Sequence, residues 1–401
     1  MRVLFVSPAA ELGGAERCLL DAVAALRDSV GVQVHLLALA DGPLVAKARE
    51  LGAATSVIEA PRALSELGES GPGSESGAAL RGLVSSAPGA LHFLSRLRET
   101  IAAVRPDVVH SNGMKAHFLA GLVTPARARL VIHLHDFIGA RRASKWLLPT
   151  LARIRRQAVF IANSGAVARD FARIAPRANV RTIYNVVDTD YFREGEAEPG
   201  WLATLADLQP PAQETTSFGL VATYARWKGH RLFIESAGLA CKARPEVPMR
   251  FYVVGGPIYK TLGSQVQASE LHQHARSVGI ESRFGLVPFQ DDIARAYRAL
   301  NVVVHASTQP EPFGRTIVEA MACARPVIVA RAGGAAELFD EGENAFGFLP
   351  GDAAGLAEIM IRTLDADVRA RLGQAAREHA VASFGRSRLG PELLRAYADG
   401  A

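Results

Sequence analysis

The chain has 401 residues, 49% of them hydrophobic and 21% charged, with a formal net charge of +5. That length exceeds one ordinary core and points to two domains of about 100 to 200 residues each. The composition is that of a globular protein; no stretch reaches the roughly 18 apolar residues of a spanning helix, and without an aromatic-and-basic stripe the charge suits anionic small ligands or an anionic membrane surface better than nucleic acid.

The three cysteines, Cys18, Cys241 and Cys323, lie far apart with no CxxC or Cys/His cluster. They read as buried thiols of a reducing compartment, neither a disulfide framework nor a metal site. The opening run of residues 2–6 is too short for a signal sequence and reads as a first strand. Ser7-Pro8-Ala9-Ala10-Glu11-Leu12-Gly13-Gly14 follows, then a helical run from Ala15 to Leu26. This is the strand, glycine loop, helix order of a nucleotide-binding-type fold, without GxGxxG. By itself Gly13-Gly14 reads more simply as a turn needing positive φ.

The alternation continues with a strand over 32–39, a helix over 44–51 and a short strand over 55–59. Pro61 to Gly89, rich in Gly, Ser, Pro and Ala, reads as a surface excursion. Strands ending in polar residues return at 107–112 and 130–136. Ligands of open α/β sheets bind beyond the carboxyl ends of strands, which puts His110, Asn112, His135 and Asp136 where a site would lie. Alternation sets His133 and His135 on one face, so only one of them is expected to reach it; His110 and His133 are read as structural.

Arg141-Arg142-Ala143-Ser144-Lys145-Trp146, with Arg153, Arg155 and Arg156 beyond, is a basic segment with helical apolar spacing. It reads as a solvated helix face or as a patch for an anionic membrane surface or acceptor. A strand over 158–163 precedes Ser164, well placed to cap a helix from Gly165 to Ile174. Residues 181–187 read as the last strand of the first half.

The polar stretch 194–217 contains the boundary. Beyond it strands are expected at 218–224, 249–254, 283–287, 301–305 and 326–330, with helices at 353–364, 366–382 and 391–398. The most informative stretch is Gln309-Pro310-Glu311-Pro312-Phe313-Gly314-Arg315-Thr316-Ile317-Val318-Glu319, which joins a buried strand to a helix from Thr316 to Ala324. The prolines delay the helix, Gly314 turns the chain into it, and its first N–H groups are placed to hold an anion. Upstream, Arg226 and Lys228 stand at a helix start, an unfavourable place for a cation unless an anion offsets it.

These residues, together with Gly13-Gly14-Ala15-Glu16, His135-Asp136, Asn163-Ser164, Tyr184-Asn185-Val186-Val187-Asp188, Lys228-Gly229, Val254-Gly255-Gly256 and Gly333-Gly334-Ala335-Ala336-Glu337, give the chain its family likeness. It resembles the retaining glycosyltransferases of family 4 over nearly its whole length. The resemblance implies an α/β GT-B architecture of two facing Rossmann-like domains with an interdomain cleft. The expected boundaries are 1–190 for an acceptor domain, 191–217 for a linker, 218–380 for a nucleotide-sugar domain, and 381–401 for a C-terminal helix packing back toward the first domain.

The resemblance further implies transfer of a sugar from a UDP- or GDP-sugar to a glycan, lipid-linked or small-molecule acceptor, with retention, no metal and no cofactor. The catalytic set is then Glu311, His135, Lys228 and Arg226. Donor binding falls to Glu319, Phe313, Gly314, Arg315, Thr316, Gly13 and Gly14. Glu311 would hold sugar hydroxyls and Glu319 the ribose hydroxyls, since a carboxylate accepts two hydrogen bonds from a diol. Arg226 and Lys228 would meet the diphosphate. A cytoplasmic protein is expected, with peripheral contact at the inner membrane surface through Arg141, Arg142 and Lys145.

The chain departs from the family pattern in three places. Thr223 stands where an arginine is frequent, with Arg226 the nearest substitute. Ala324 replaces a usual glycine. Arg315-Thr316 replaces a hydrophobic residue and adds a further phosphate partner. Readings that compete with a transferase are a sugar-nucleotide epimerase or phosphorylase of the same architecture, although no pyridoxal-phosphate lysine pattern appears, and a catalytically silent nucleotide-sugar-binding subunit of a polysaccharide assembly.

Overall fold

The computed structural model describes residues 1–8, 11–61, 87–141, 144–198, 200–257 and 265–398. The chain divides into two compact units, Met1–Val186 with Arg386–Ala401, and Val187–Gly385.

The first unit runs β1 (Arg2–Ser7), α1 (Gly14–Arg27), β2 (Gln33–Ala38), α2 (Pro43–Glu50), β3 (Ala54–Val57), α3 (Ala87–Val104), β4 (Val108–Asn112), α4 (Met114–Val123), β5 (Arg129–Leu134), α5 (Ser144–Ile154), β6 (Val159–Ala162), α6 (Gly165–Ile174) and β7 (Asn179–Thr182). Its seven strands are ordered β3-β2-β1-β4-β5-β6-β7, and every pairing is parallel. Parallel strands covered on both faces must be apolar on both. Accordingly one core of Leu4, Val6, Val109, Ile132 and Phe160 packs on one side, and another of Val3, Phe5, Val131, Val159 and Ile161 on the other.

The second unit follows with α7 (Trp201–Leu205), β8 (Thr216–Val221), α8 (His230–Ala243), β9 (Met249–Val254), α9 (Ala268–Ser277), β10 (Phe284–Val287), α10 (Ile293–Arg298), β11 (Val302–His305), α11 (Arg315–Ala322), β12 (Val327–Ala330), β13 (Phe346–Phe348), α12 (Ala353–Arg362) and α13 (Ala366–Phe384). Its six parallel strands are ordered β10-β9-β8-β11-β12-β13. A final helix, α14 (Leu389–Ala398), belongs to the first unit, where Leu389, Leu393 and Tyr397 join its core.

Both sheets thus repeat one doubly wound plan, and each reverses direction once, between β1 and β4 in the first unit and between β8 and β11 in the second. Those reversals are where such sheets hold ligands, beyond the strands' carboxyl ends.

The expected segments differ from this in several places. The presumed linker 191–217 belongs to the second unit, where Arg295 pairs with Glu198 and Arg250 donates to the Gln209 carbonyl. Residues 381–384 end α13, so the return to the first unit begins only at Arg386. The strand expected over 181–187 stops at Thr182, where its partner β6 ends at Ala162; Ile183, Val186 and Val187 are buried without a ladder, which gives them a strand's composition. Helices α3, α4, α7, α9 and α10 and strand β13 were not expected. Most of the excursion Pro61 to Gly89 lies outside the described residues, as does Arg142.

Candidate active site

In the second unit the loops after β8 and β11, on either side of the reversal, touch through their backbones. Thr308 N–H donates to the Trp227 carbonyl at 2.8 Å. Gly229 makes the approach feasible: at φ 76° it lies in the left-handed region, and a Cβ there would sit 1.8 Å from the Ala306 carbonyl oxygen. The consequence is that Lys228, from a 3₁₀ turn over Arg226–Lys228, meets Glu311 from a loop 83 residues later.

Lys228 Nζ lies 2.5 Å from Glu311 Oε1, and Ser307 Oγ donates to that same oxygen at 2.6 Å. His305 Nε2 stands 3.7 Å away, beyond hydrogen-bond reach, and neither of its ring nitrogens has a hydrogen-bond partner among the described residues. Burial pushes the Glu311 carboxyl's pKa up, but the Lys228 ammonium and the neighbouring His305 together outweigh burial, and the carboxyl is held far below its ordinary range. The group is therefore a permanent carboxylate at neutral pH. The Glu311 backbone is fixed too, donating to the Ala332 carbonyl and accepting from Gly334 N–H at 2.7 Å.

Glu319, on the helix that follows, is 8% exposed. Tyr297 Oη donates to its Oε2 at 3.0 Å, and Arg315 Nε faces its Oε1 at 3.3 Å. Gly314 caps α11 with φ 111°, and Thr316 lies in the helix's first turn. Phe313 points inward, 3% exposed, against Phe384 at 6.0 Å between ring centroids. Only its backbone is left for a ligand.

The structure thus joins Lys228 to Glu311 and Arg315 to Glu319. Arg226 turns instead toward Glu270 on α9, at 3.5 Å, a distance that leaves it half exposed. A nearby carboxylate offsets each cation.

In the first unit, Gly13 is extended at φ −87°, so the loop has no left-handed turn there. Its N–H donates to Glu16 Oε2 at 3.1 Å, the glutamate half of a capping box, and Gly14 begins the helix. His135 follows β5; its Nε2 pairs with Asn112 Oδ1 at 2.7 Å, while Asn112 Nδ2 donates to the Ala15 carbonyl. With the amide so oriented, Nε2 of His135 carries the proton. His133 stacks on His135 with centroids 4.1 Å apart, and its Nδ1 lies 3.2 Å from His110 Nε2. His110 Nδ1 in turn meets Tyr397 Oη of α14 at 2.6 Å.

His110 and His133 are buried, and so is His117, whose Nδ1 lies 2.9 Å from Ser111 Oγ. Burial, then the neighbouring His135, drives the pKa of His110 and of His117 down to about 3, and that of His133 well below its ordinary value. His110, His117 and His133 are therefore neutral at ordinary pH. Ser164 caps α6 as expected, accepting from Val167 N–H at 3.1 Å.

Beyond β5, Asp170 Oδ2 accepts from Ile138 and Gly139 N–H at 2.7 and 2.8 Å, and Arg141 pairs with Asp136 at 2.8 Å. Trp146, Leu147 and Ile154 of α5 are exposed at 72%, 49% and 71%. Arg153, Arg156 and Arg177 line a nearby groove of about 730 Å³. No helix among the described residues is long and apolar enough to cross a membrane.

Sequence reasoning did not find Tyr297, Ser307 or His305. Tyr297 reads as one more core aromatic. Ser307, a polar residue just past the end of β11, carried the same strand-end signal that singled out Asn112.

Comparison with known proteins agrees with the geometry. Residues 12–191 match the family model described as Glycosyltransferase Family 4, and residues 209–379 match Glycosyl transferases group 1. A D-inositol 3-phosphate glycosyltransferase 2 of Catenulispora acidiphila is 32% identical over 232 residues, which is 56% of this chain and 52% of that protein. N-acetyl-alpha-D-glucosaminyl L-malate synthase of Bacillus anthracis is 23% identical over 77% of this chain and 79% of its own length. The chain spans between 36% and 52% of the length of the two D-inositol 3-phosphate glycosyltransferases matched at 31% and 32% identity. The crystal structure of Anabaena Alr3699/HepE in complex with UDP superposes with a TM-score of 0.79 at 26% identity, covering 98% of this chain and 99% of that one. The same protein in complex with UDP-glucose gives 0.77 at 26% identity, covering 98% of each chain.

Proposed function

Because the chain belongs to the GT-B glycosyltransferases of the family 4 type, we propose that it transfers a sugar, with retention of anomeric configuration, from a UDP-sugar to a carbohydrate or lipid-linked acceptor. The observation that carries this reading is the Lys228–Glu311 pair at the reversal of the second sheet. The Anabaena complexes with UDP and UDP-glucose favour UDP over GDP.

Glu311, held ionised, accepts hydroxyls of the transferred sugar. Lys228, now neutralised by it, extends to the diphosphate, together with N–H groups at the start of α11. This supplies the leaving group's counter-charge without a metal. Glu319 receives the ribose hydroxyls. In the first unit, His135 and the backbone at Gly13-Gly14 are the positions proposed for substrate contact. Arg226 reaches the diphosphate only by leaving Glu270.

In the reaction the acceptor oxygen bonds to the anomeric carbon as the carbon–phosphate oxygen bond breaks on the same face. The acceptor proton passes to the departing diphosphate, so no separate base is required. A cytoplasmic site suits a nucleotide-sugar donor. The exposed Trp146, Leu147 and Ile154 beside Lys145 and Arg153 favour an anionic membrane surface near the acceptor. Arg141, paired with Asp136, contributes less.

Incubation with a panel of nucleotide sugars, with and without acceptor extracts, tests the reading through released nucleotide. Glu319→Ala should weaken nucleotide binding, and Glu311→Ala should lower turnover more than affinity. No transfer, hydrolysis or thermal shift with any nucleotide, or equal negligible effects of both substitutions, refutes it.

A further inference from the structure

The carboxylate of Glu319 is held from two sides before any ligand arrives. Arg315 lies one turn earlier on the same helix and faces Oε1 at 3.3 Å. The second support comes from a different element, α10, whose Tyr297 is fully buried and donates to Oε2 at 3.0 Å. A side chain on one helix can swing with its rotamer; a contact from a second helix fixes the plane of the carboxylate as well.

We infer that Tyr297 is a positioning residue for nucleoside recognition, orienting the Glu319 carboxylate so that its remaining lone pairs meet the two hydroxyls of a ribose. The inference rests on the reading that Glu319 faces that diol. Each Glu319 oxygen already accepts one protein donor, and a carboxylate oxygen accepts two. One acceptor position per oxygen is what a vicinal diol requires. Burial first, and then the Glu319 charge, raise the Tyr297 pKa well above its ordinary value, so the phenol remains a donor across the working pH range. The carboxylate, one of its bonds lost, would face the diol with a wider spread of orientations.

Calorimetric titration with UDP and with 2′-deoxy-UDP separates positioning from simple loss of packing. In Tyr297→Phe the Kd for UDP should rise about tenfold, the scale of one hydrogen bond to a charged group, and the Kd for 2′-deoxy-UDP less than twofold. Donor KM should rise with kcat within about twofold, and in a Glu319→Gln background Tyr297→Phe should add less than a twofold change. Equal weakening of both nucleotides, or an unchanged UDP affinity in a folded Tyr297→Phe protein, overturns the inference. Glu319→Gln alone should erase the preference for UDP over 2′-deoxy-UDP. If it keeps that preference, the inference is overturned even where Tyr297→Phe fails to fold. Wild-type protein that binds no nucleoside diphosphate removes the reading of Glu319 itself, a failure distinct from UDP binding that Glu319→Ala weakens and Tyr297→Phe leaves unchanged.

Discussion

Mild acid should cost the first unit more stability than the second. His110 and His117 are buried and neutral, with pKa values pushed down to about 3 from the ordinary 6.5. The unfolded chain takes up their protons as pH falls below 6.5, whereas the folded chain does so only near 3. Stability is therefore complete above 6.5 and declines steadily below it. At pH 5 each histidine costs about 2 kcal/mol, from about 1.36 kcal/mol per unit. Together they remove about 4 kcal/mol, a large share of a domain's stability, and His133 adds to it. In the second unit His230, lowered to about 4 by burial and then by Lys228, contributes only about 2 kcal/mol in this window. Glu311, whose pKa is depressed, gives up its contribution only below the ordinary carboxylate value of 4.5, outside the window. Cys18 lies buried in the first unit and Cys323 in the second, so each reports on one unit. Urea titrations at pH 7 and pH 5, followed by reaction of each thiol with dithiodipyridine, should show the Cys18 midpoint falling the further. A Cys18 midpoint unchanged between the two pH values, or falling no more than that of Cys323, refutes the account.

Lys228→Met leaves the Glu311 charge buried with Ser307 as its hydroxyl donor. Since Lys228 is 25% exposed, the cost is set at about 2 kcal/mol, below that of a fully buried pair, and a melting point unchanged in calorimetry would contradict it. Gly229→Ala meets both a left-handed backbone and the Ala306 carbonyl, and should cost at least about 3 kcal/mol along with nearly all turnover; retained donor turnover would show that the two loops are free to separate. Trp146→Ser with Leu147→Ser should lower co-sedimentation with anionic vesicles several-fold at low salt, the wild-type signal itself fading as salt rises; absence of wild-type binding at low salt excludes the membrane reading.

How much of this was legible differs by element. The central strands were legible because a buried parallel strand is apolar on both faces and ends in polar residues, as β4 and β11 do. Helix α4 was not, since its buried set, Ala116, His117, Leu119, Ala120, Gly121 and Val123, runs around most of its circumference and leaves little periodicity to read. Pro88 and Gly89 hid the start of α3. The Lys228–Glu311 contact was legible only as two separate motifs, for nothing local tells a lysine which of many carboxylates it will meet 83 residues later. The turn of Arg226 toward Glu270 was hidden for the same reason.

Arg315 is the instructive exception. It was expected to meet phosphate, as a basic residue standing where the family has a hydrophobic one, yet the carboxylate it faces is four residues along the same helix. That i, i+4 spacing was visible in the sequence. Two anions compete for one guanidinium, and Glu319, on the same helix, needs no loss of translational freedom to meet it. A bound diphosphate brings two charges against one, so Arg315 becomes a phosphate ligand only by releasing Glu319 to the ribose and to Tyr297. The departure from the family's hydrophobic residue would then couple the two halves of nucleotide recognition: Arg315→Leu should weaken UDP more than uridine and leave the preference for UDP over 2′-deoxy-UDP intact, because Tyr297 still holds the carboxylate. Loss of that preference in Arg315→Leu would assign the orientation of Glu319 to the arginine.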